Sequence, residues 1–256
     1  MPLPTIPSGN VFSSLPTGFN VDNSCRFNDA DTPYFSKSFG TPSDGKKWTF
    51  SCWVKGGDLG NASPNSSRNL LGARIDSSNY TDLQFLSADR HMYILDYTTG
   101  GGGAYGKTTG ILSLAYYRDP AAWQHLVWAC DTSQSTDTNR LKFYVNGVHN
   151  TTVTANRYMD QNREITMNKS GATVDVGRSP AGYYYWDGYM AEVAFIDGTQ
   201  YAASDFGEFD EDSPTIWKPK DFSGDVTFGN NGFYLDFKDS ANLGNDANGG
   251  TDLSEN

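Results

Sequence analysis

Four patterns in this chain have residue types and spacings that could do chemistry. Gly101-Gly-Gly-Ala-Tyr-Gly106-Lys107-Thr108 matches the phosphate-loop pattern G-x-x-x-x-G-K-[ST] letter for letter, with a strand-like HMYILDY before it. That pattern works only where a helix starts at the lysine, because the free N–H groups and dipole of the helix hold the phosphates. The continuation TTGILSLAYY carries a glycine and reads as extended, so the stretch is expected to be a hairpin loop that binds no nucleotide. Glu208, Asp210 and Asp212 have the two-residue spacing that aligns carboxylates on one face of a strand, as a glycosidase acid and nucleophile require. Their segment lacks alternating apolar partners and ends in Ser-Pro, which predicts a solvated loop. His91, His125 and His149 stand far apart with no HExxH, CxxC or G-x-S-x-G element, and read as structural.

The fourth pattern is the run Tyr183-Tyr184-Tyr185-Trp186. Consecutive side chains on an extended segment alternate faces, so four adjacent aromatics cannot all point inward. Two readings stay open: an exposed contact with a sugar face or a protein, or alternate rings filling the core.

Composition narrows the classes of partner. The net charge of −11, with no Lys/Arg cluster, leaves nothing to attract a phosphate backbone or an anionic membrane surface. No apolar run approaches the length of a membrane span, and MPLPTIPSGN does not read as a signal peptide, so synthesis in a host cytoplasm is expected. Cys25, Cys52 and Cys130 are odd in number and lack metal spacing, which predicts reduced, buried thiols. The sequons at Asn79 and Asn150 read as chance in a chain rich in Asn, Ser and Thr.

The elements that must position these residues are strands. WTFSCWVK puts Trp48, Phe50, Cys52 and Val54 on one face with period two, and LQFLS, HMYILDY, WQHLVWACD, LKFYV, ATVDVG and YMAEVAFID repeat the pattern between turn residues. Seven or more short strands predict a two-sheet antiparallel sandwich, an all-β fold. Its expected core includes Trp48, Phe50, Val54, Val127, Leu141, Phe143, Val145, Val193 and Phe195. Asn146-Gly147 predicts a type I′ hairpin turn, and YAASDFGEF is the best site for a single helical turn. The organisation read from the chain is an extended arm at 1–24, a sandwich at 25–206, and an acidic loop, strand and polar tail at 207–256. The arm is too apolar for a free linker at Leu3, Ile6, Val11, Phe12 and Leu15, yet too broken by Pro and Gly for a core element. It should order only against a partner.

The runs FSCWVK, YRDPAAWQHLVWACDTS, LKFYVNG, WDGYMAEVAFIDGTQYAASDFGE, WKPKDF and NGFYLDFKDSANLGND together resemble the laminin G-like, concanavalin A-like lectin/glucanase domains of marine bacteriophage virion proteins. The resemblance spans roughly Phe27 to Asp246 and implies a jelly-roll sandwich in a virion structural protein, either a head decoration or a tail fibre component. It implies a particle-surface location, other virion proteins as partners, and a homo-oligomer such as a trimer. A host-glycan adhesin is the first alternative and a glycoside hydrolase the second. The paired acids of related glucanases have no matching strand here, so the leading expectation is a protein that is not an enzyme. No cofactor is expected, except that calcium held at a loop edge in some laminin G-like domains points to Asp131, which stands at a strand end.

Overall fold

The structure, a computed structural model, describes residues 19–57, 67–86, 91–98, 107–117, 119 and 122–256. The alternating runs form an antiparallel two-sheet sandwich. One sheet follows the order β1 (Cys25–Phe27), β13 (Gly188–Asp197), β3 (Lys47–Gly56), β8 (Gln124–Asp131), β9 (Leu141–Val145) and β10 (Val148–His149), with β16 (Phe233–Leu235) also paired to β13. The other follows β11 (Val153–Arg157), β7 (Lys107–Ser113), β6 (His91–Thr98), β5 (Asn79–Leu86), β4 (Arg68–Asp76), β12 (Thr173–Val176), β2 (Phe35–Ser38) and β17 (Ser254–Glu255). A short hairpin, β14 (Gly207–Phe209) and β15 (Trp217–Pro219), stands apart from both.

Trp48, Phe50, Cys52 and Val54 of β3 lie with Leu126, Trp128 and Cys130 of β8 in the main core, against Leu83 and Phe85 of β5 and Ile94 of β6. Each large side chain buried there contributes roughly 1.5–3 kcal/mol by leaving water. Met190, Val193 and Phe195 of β13 join this core because a bulge between Ala191 and Ala194 shifts the register, with Glu192 at φ 50°. Two of the expected core residues differ in detail. Val145 is half-buried at the rim of the core, and Val127 points to the opposite side of its sheet, because its neighbours Leu126 and Trp128 take the inner positions.

That opposite side explains the part of the C-terminal segment that precedes its polar tail, which is largely exposed from Lys238 onward. Val127, Ala129, Ala194 and Ile196 make the outward face of β8 and β13 apolar, and Phe206, Phe222, Val226, Phe228 and Tyr234 close over it as a second core. The segment continues through β16 into the first sheet and through β17 to the edge of the second, so residues on either side of position 206 share both sheets. Its Gly/Asn/Asp turns satisfy themselves: Asp246 accepts the N–H groups of Tyr234 and Asn248 at 2.9 and 3.1 Å.

The Asn146-Gly147 turn forms as expected, both residues having positive φ (47° and 79°). The helical turn in YAASDFGEF is three residues of 3-10 helix, Ala203–Asp205. Asp205 caps it by accepting the N–H of Ala202 at 2.7 Å. Lys107 opens the strand β7 rather than a helix, and Gly101 to Gly106 lie outside the described residues, as do Leu3, Ile6, Val11, Phe12 and Leu15. Among the described residues no helix is long and apolar enough to cross a membrane.

Candidate functional site

The outward face of β4, β5 and β6 gathers polar and aromatic side chains. Alternation along β5 sends Leu83 and Phe85 to the core and Tyr80, Asp82 and Gln84 outward. Tyr97 of β6 is the register partner of Tyr80, and their rings stack with centroids 5.3 Å apart.

The segment after β12 crosses this face as a tight loop. Its turn is closed by Gly182 N–H donating to Ser179 O at 2.9 Å and Ser179 N–H donating to Tyr183 O at 3.1 Å. Ser179 Oγ donates to Asp82 Oδ2 at 3.2 Å, and Asn69 of β4 donates from Nδ2 to Arg178 O at 2.7 Å and from its backbone N–H to Tyr184 O at 2.8 Å. Pro180 rests directly on Gly72, where any Cβ would collide with the proline ring.

The aromatic run divides on this loop between exposed and buried rings. Tyr183 is 46% exposed, and its ring meets that of Tyr184 edge-on with centroids 4.5 Å apart. Tyr184 and Tyr185 are half-buried, Tyr184 at a left-handed φ of 60° that redirects the chain. Tyr185 accepts from Arg178 Nη1 at 3.3 Å, and the Arg178 guanidinium lies over the ring of Tyr34. Trp186, grouped with the contact residues in the sequence reading, belongs to the core: its N–H returns to Gly177 O at 2.7 Å and its ring stacks on Phe85.

Electrostatics ties the loop to the sheet. Burial pushes the Asp82 carboxyl up to about 7, against the opposing pull of the Ser179 hydrogen bond and the Arg74 charge. Burial also raises the Tyr80 and Tyr183 hydroxyls, with further contributions from Asp82 and from neighbouring tyrosines. Arg74, Tyr80, Asp82, Tyr97, Tyr183 and Tyr184 therefore form one neighbourhood.

A pair of carboxylates also sits here. Asp175 of β12 and Asp82 of β5 flank Gly72 in register, so two strand spacings separate their strands by about 10 Å. That is near the separation used by inverting glycosidases. Pro180 occupies the intervening space, and Asp175 accepts from Ser36 Oγ at 2.6 Å and Arg178 Nε at 2.7 Å. These carboxylates hold the loop down instead of facing a cleft.

The other residues singled out in the sequence lie elsewhere. Glu208 is on the strand β14, not in the expected loop, and Lys218 Nζ bridges it and Asp210 at 3.4 and 3.5 Å. Asp210 accepts the N–H groups of Asp212 and Ser213 in a turn and lines a cleft with Trp53, Trp123 and Lys218, but Glu208 and Asp212 do not line that cleft, so the three acids are not paired there. His91, His125 and His149 are on three different strands and form no common site. Both Asp131 oxygens are engaged within its own turn: Oδ1 accepts from the Ser133 N–H and hydroxyl at 2.9 and 2.5 Å, and Oδ2 accepts from Gln134 at 2.7 Å. Among the described residues no group of three or more His, Cys, Asp or Glu is placed to hold a metal ion. The sequence reading missed Arg74, Tyr80, Asp82 and Tyr97; the signal available was the polar set at alternate positions of NYTDLQFL.

The family model described as the concanavalin A-like lectin/glucanases superfamily, of laminin G type, matches residues 29–203, well over half of the chain. The chain belongs to that family. Among solved structures, this concanavalin A-like chain is similar to a Bacteroides ovatus protein whose carbohydrate-binding role is itself an assignment, with TM-score 0.56 and 14% identity over 91% of this chain and 57% of the other. It is also similar to a heptameric SAP-like pentraxin from Limulus polyphemus (TM-score 0.43, 13% identity, 72% of this chain and 75% of that one). A third is tailspike protein 2 of an Escherichia coli O157:H7 bacteriophage (TM-score 0.46, 13% identity, 71% of this chain and 23% of that one). The chain thus spans just over half the Bacteroides protein and under a quarter of the tailspike. No curated protein sequence matches it significantly.

Proposed function

We propose that this chain is a non-enzymatic surface module of a bacteriophage particle that touches host glycans through its tyrosine face. The observation that carries the glycan reading is the grouping of Tyr80, Tyr97, Tyr183 and Tyr184 beside Arg74 on one outward sheet face. Tyrosine rings present an apolar face to a sugar and a hydroxyl to its polar edge. The roof that Pro180 makes between Asp82 and Asp175 favours contact over hydrolysis. The particle assignment rests on the motif resemblance, with other virion proteins as partners, the 1–24 arm as the attachment element and a closed homo-oligomer, a trimer, as the assembly.

Binding of the full chain to an array of bacterial surface glycans should give saturable signals that fall at least tenfold for Tyr183→Ala. Equal binding by wild type and variant, or no binding at all, overturns the glycan reading. Mass spectrometry of purified particles tests the virion assignment separately.

A further inference from the structure

The outer side of the first sheet carries a cleft of about 610 Å³, away from the tyrosine face. Alternation sends Cys52 and Val54 of β3 into the core and Trp53 outward, where its indole lines the cleft together with Ala191 of β13. Trp123, just ahead of β8, and Pro219 of β15 line it too, and residues 19–24 form a further wall. Trp123 is exposed and its ring meets that of Tyr189, also exposed, with centroids 6.5 Å apart. Phe209 and Ile216, on and beside the hairpin that carries Pro219, are exposed as well. Large apolar side chains gathered around one groove mark a docking surface, whereas scattered ones do not.

The charged groups at this cleft are already engaged with one another. Lys218 bridges Glu208 and Asp210 at 3.4 and 3.5 Å, which leaves the indoles and the proline ring as the open contacts. Such a groove suits an uncharged, proline-rich segment, because a polyproline II helix is ordered before it binds and its rings pack on aromatic faces. This chain supplies one. Residues 1–18 have no ionisable side chain, in a molecule of net charge −11, and they contain the P-x-x-P run Pro4-Thr5-Ile6-Pro7 beside Leu3. The described chain begins at Phe19, on the wall of this same cleft.

We propose that residues 1–18 of a second copy dock in this cleft against Trp53 and Trp123, and that the exchange of arms builds the homo-oligomer. In polyproline form eighteen residues reach about 55 Å, enough to span to a neighbouring body. The arm's own cleft is the poorer fit. Residues 19–24 already line one side of it, and a chain returning there must reverse just before Phe19. A second copy's arm enters without reversal and brings a body to cover Tyr189, Phe209 and Ile216. Arm and cleft are different surfaces, so the assembly closes only when every copy both gives and receives an arm. This inference rests on the homo-oligomer reading above and names the contact that makes it.

Sedimentation velocity of the purified full chain, without glycan or other particle proteins, is the test. Wild type is expected to form a closed oligomer. Trp123→Ala, and separately the double variant Leu3→Asp with Ile6→Asp, should each weaken association by about tenfold or more while circular dichroism stays native. Mixing the two variants should give a two-chain complex that neither forms alone, since one keeps an intact arm and the other an intact cleft. A monomeric wild type overturns both the homo-oligomer and the arm exchange. Undiminished association in either variant, or no complex on mixing, overturns the arm exchange alone. Should Trp123→Ala not fold, the arm variant decides, and association equal to wild type overturns the proposal.

Discussion

His125 illustrates how much a single buried side chain can specify. Its ring stacks on that of Trp53, with centroids 5.0 Å apart, and lies nearly parallel to the indole of Trp217, whose centroid is 6.0 Å away. Trp217 Nε1–H can only donate, so His125 Nδ1, at 3.0 Å, is the acceptor, and the neutral ring carries its proton on Nε2 toward Ser51 Oγ at 2.9 Å. Burial holds the imidazole down to about 3. The unfolded chain therefore binds a proton near pH 6.5 that the folded chain refuses, and stability present above pH 6.5 is lost as pH falls toward 3. The slope is at most about 1.4 kcal/mol per pH unit. Glu192 and Asp82, each raised by burial to about 7, act in the opposite sense over an overlapping range, so the His125 contribution is read as the difference between variant and wild type. Urea unfolding at pH 4 to 6 should show a shallower loss of stability in His125→Gln than in wild type; parallel profiles would remove His125 from this role. The cysteines are a simpler case. All three are buried, and burial raises each thiol, so a thiol-specific reagent should label none before unfolding.

At the scale of elements, turns decide which motifs have meaning. Gly147 has φ 79°, and a Cβ there would strike the indole of Trp217, so Gly147→Ala is expected to cost at least about 2 kcal/mol in denaturant unfolding. A neutral effect would show that Trp217 moves aside freely. The phosphate-loop lettering at Gly101 to Thr108 has the opposite status. Because Lys107 begins a strand, no helix N-terminus follows the glycines, and titration with magnesium-ATP should give no saturable signal at millimolar concentration. A signal abolished by Lys107→Ala would reverse that reading.

At the scale of the whole molecule, two cores share one sheet, and the C-terminal segment supplies the outer one. Phe143 of the inner core packs on Trp128 with centroids 5.5 Å apart, and Phe143→Ala should lower stability by about 3–5 kcal/mol through the cavity it leaves. The C-terminal residues are part of this body, and the attachment element proposed for the particle is the N-terminal arm. Deleting residues 1–20 should preserve the sandwich by circular dichroism and abolish incorporation into particles. Normal occupancy of the truncated protein would shift attachment to the sandwich surface.

Fold class, most strands and the Asn146-Gly147 hairpin were legible in the sequence, because period-two alternation and positive-φ turn residues act over a few neighbours. Val127 was legible as buried but not as belonging to the outer core, since alternation does not say which side of a sheet is covered, or by what. The tyrosine run was legible as unusual. Its division into an exposed Tyr183 and a core Trp186 was decided by Gly177, Gly72 and Asn69, which bend and anchor the loop through partners 9 to over 100 residues away. Arg74, Tyr80, Asp82 and Tyr97 became a site only when β4, β5 and β6 paired and the loop after β12 closed over them. A site assembled from side chains of three strands and a crossing loop depends on register and long-range packing, and neither is written in local sequence.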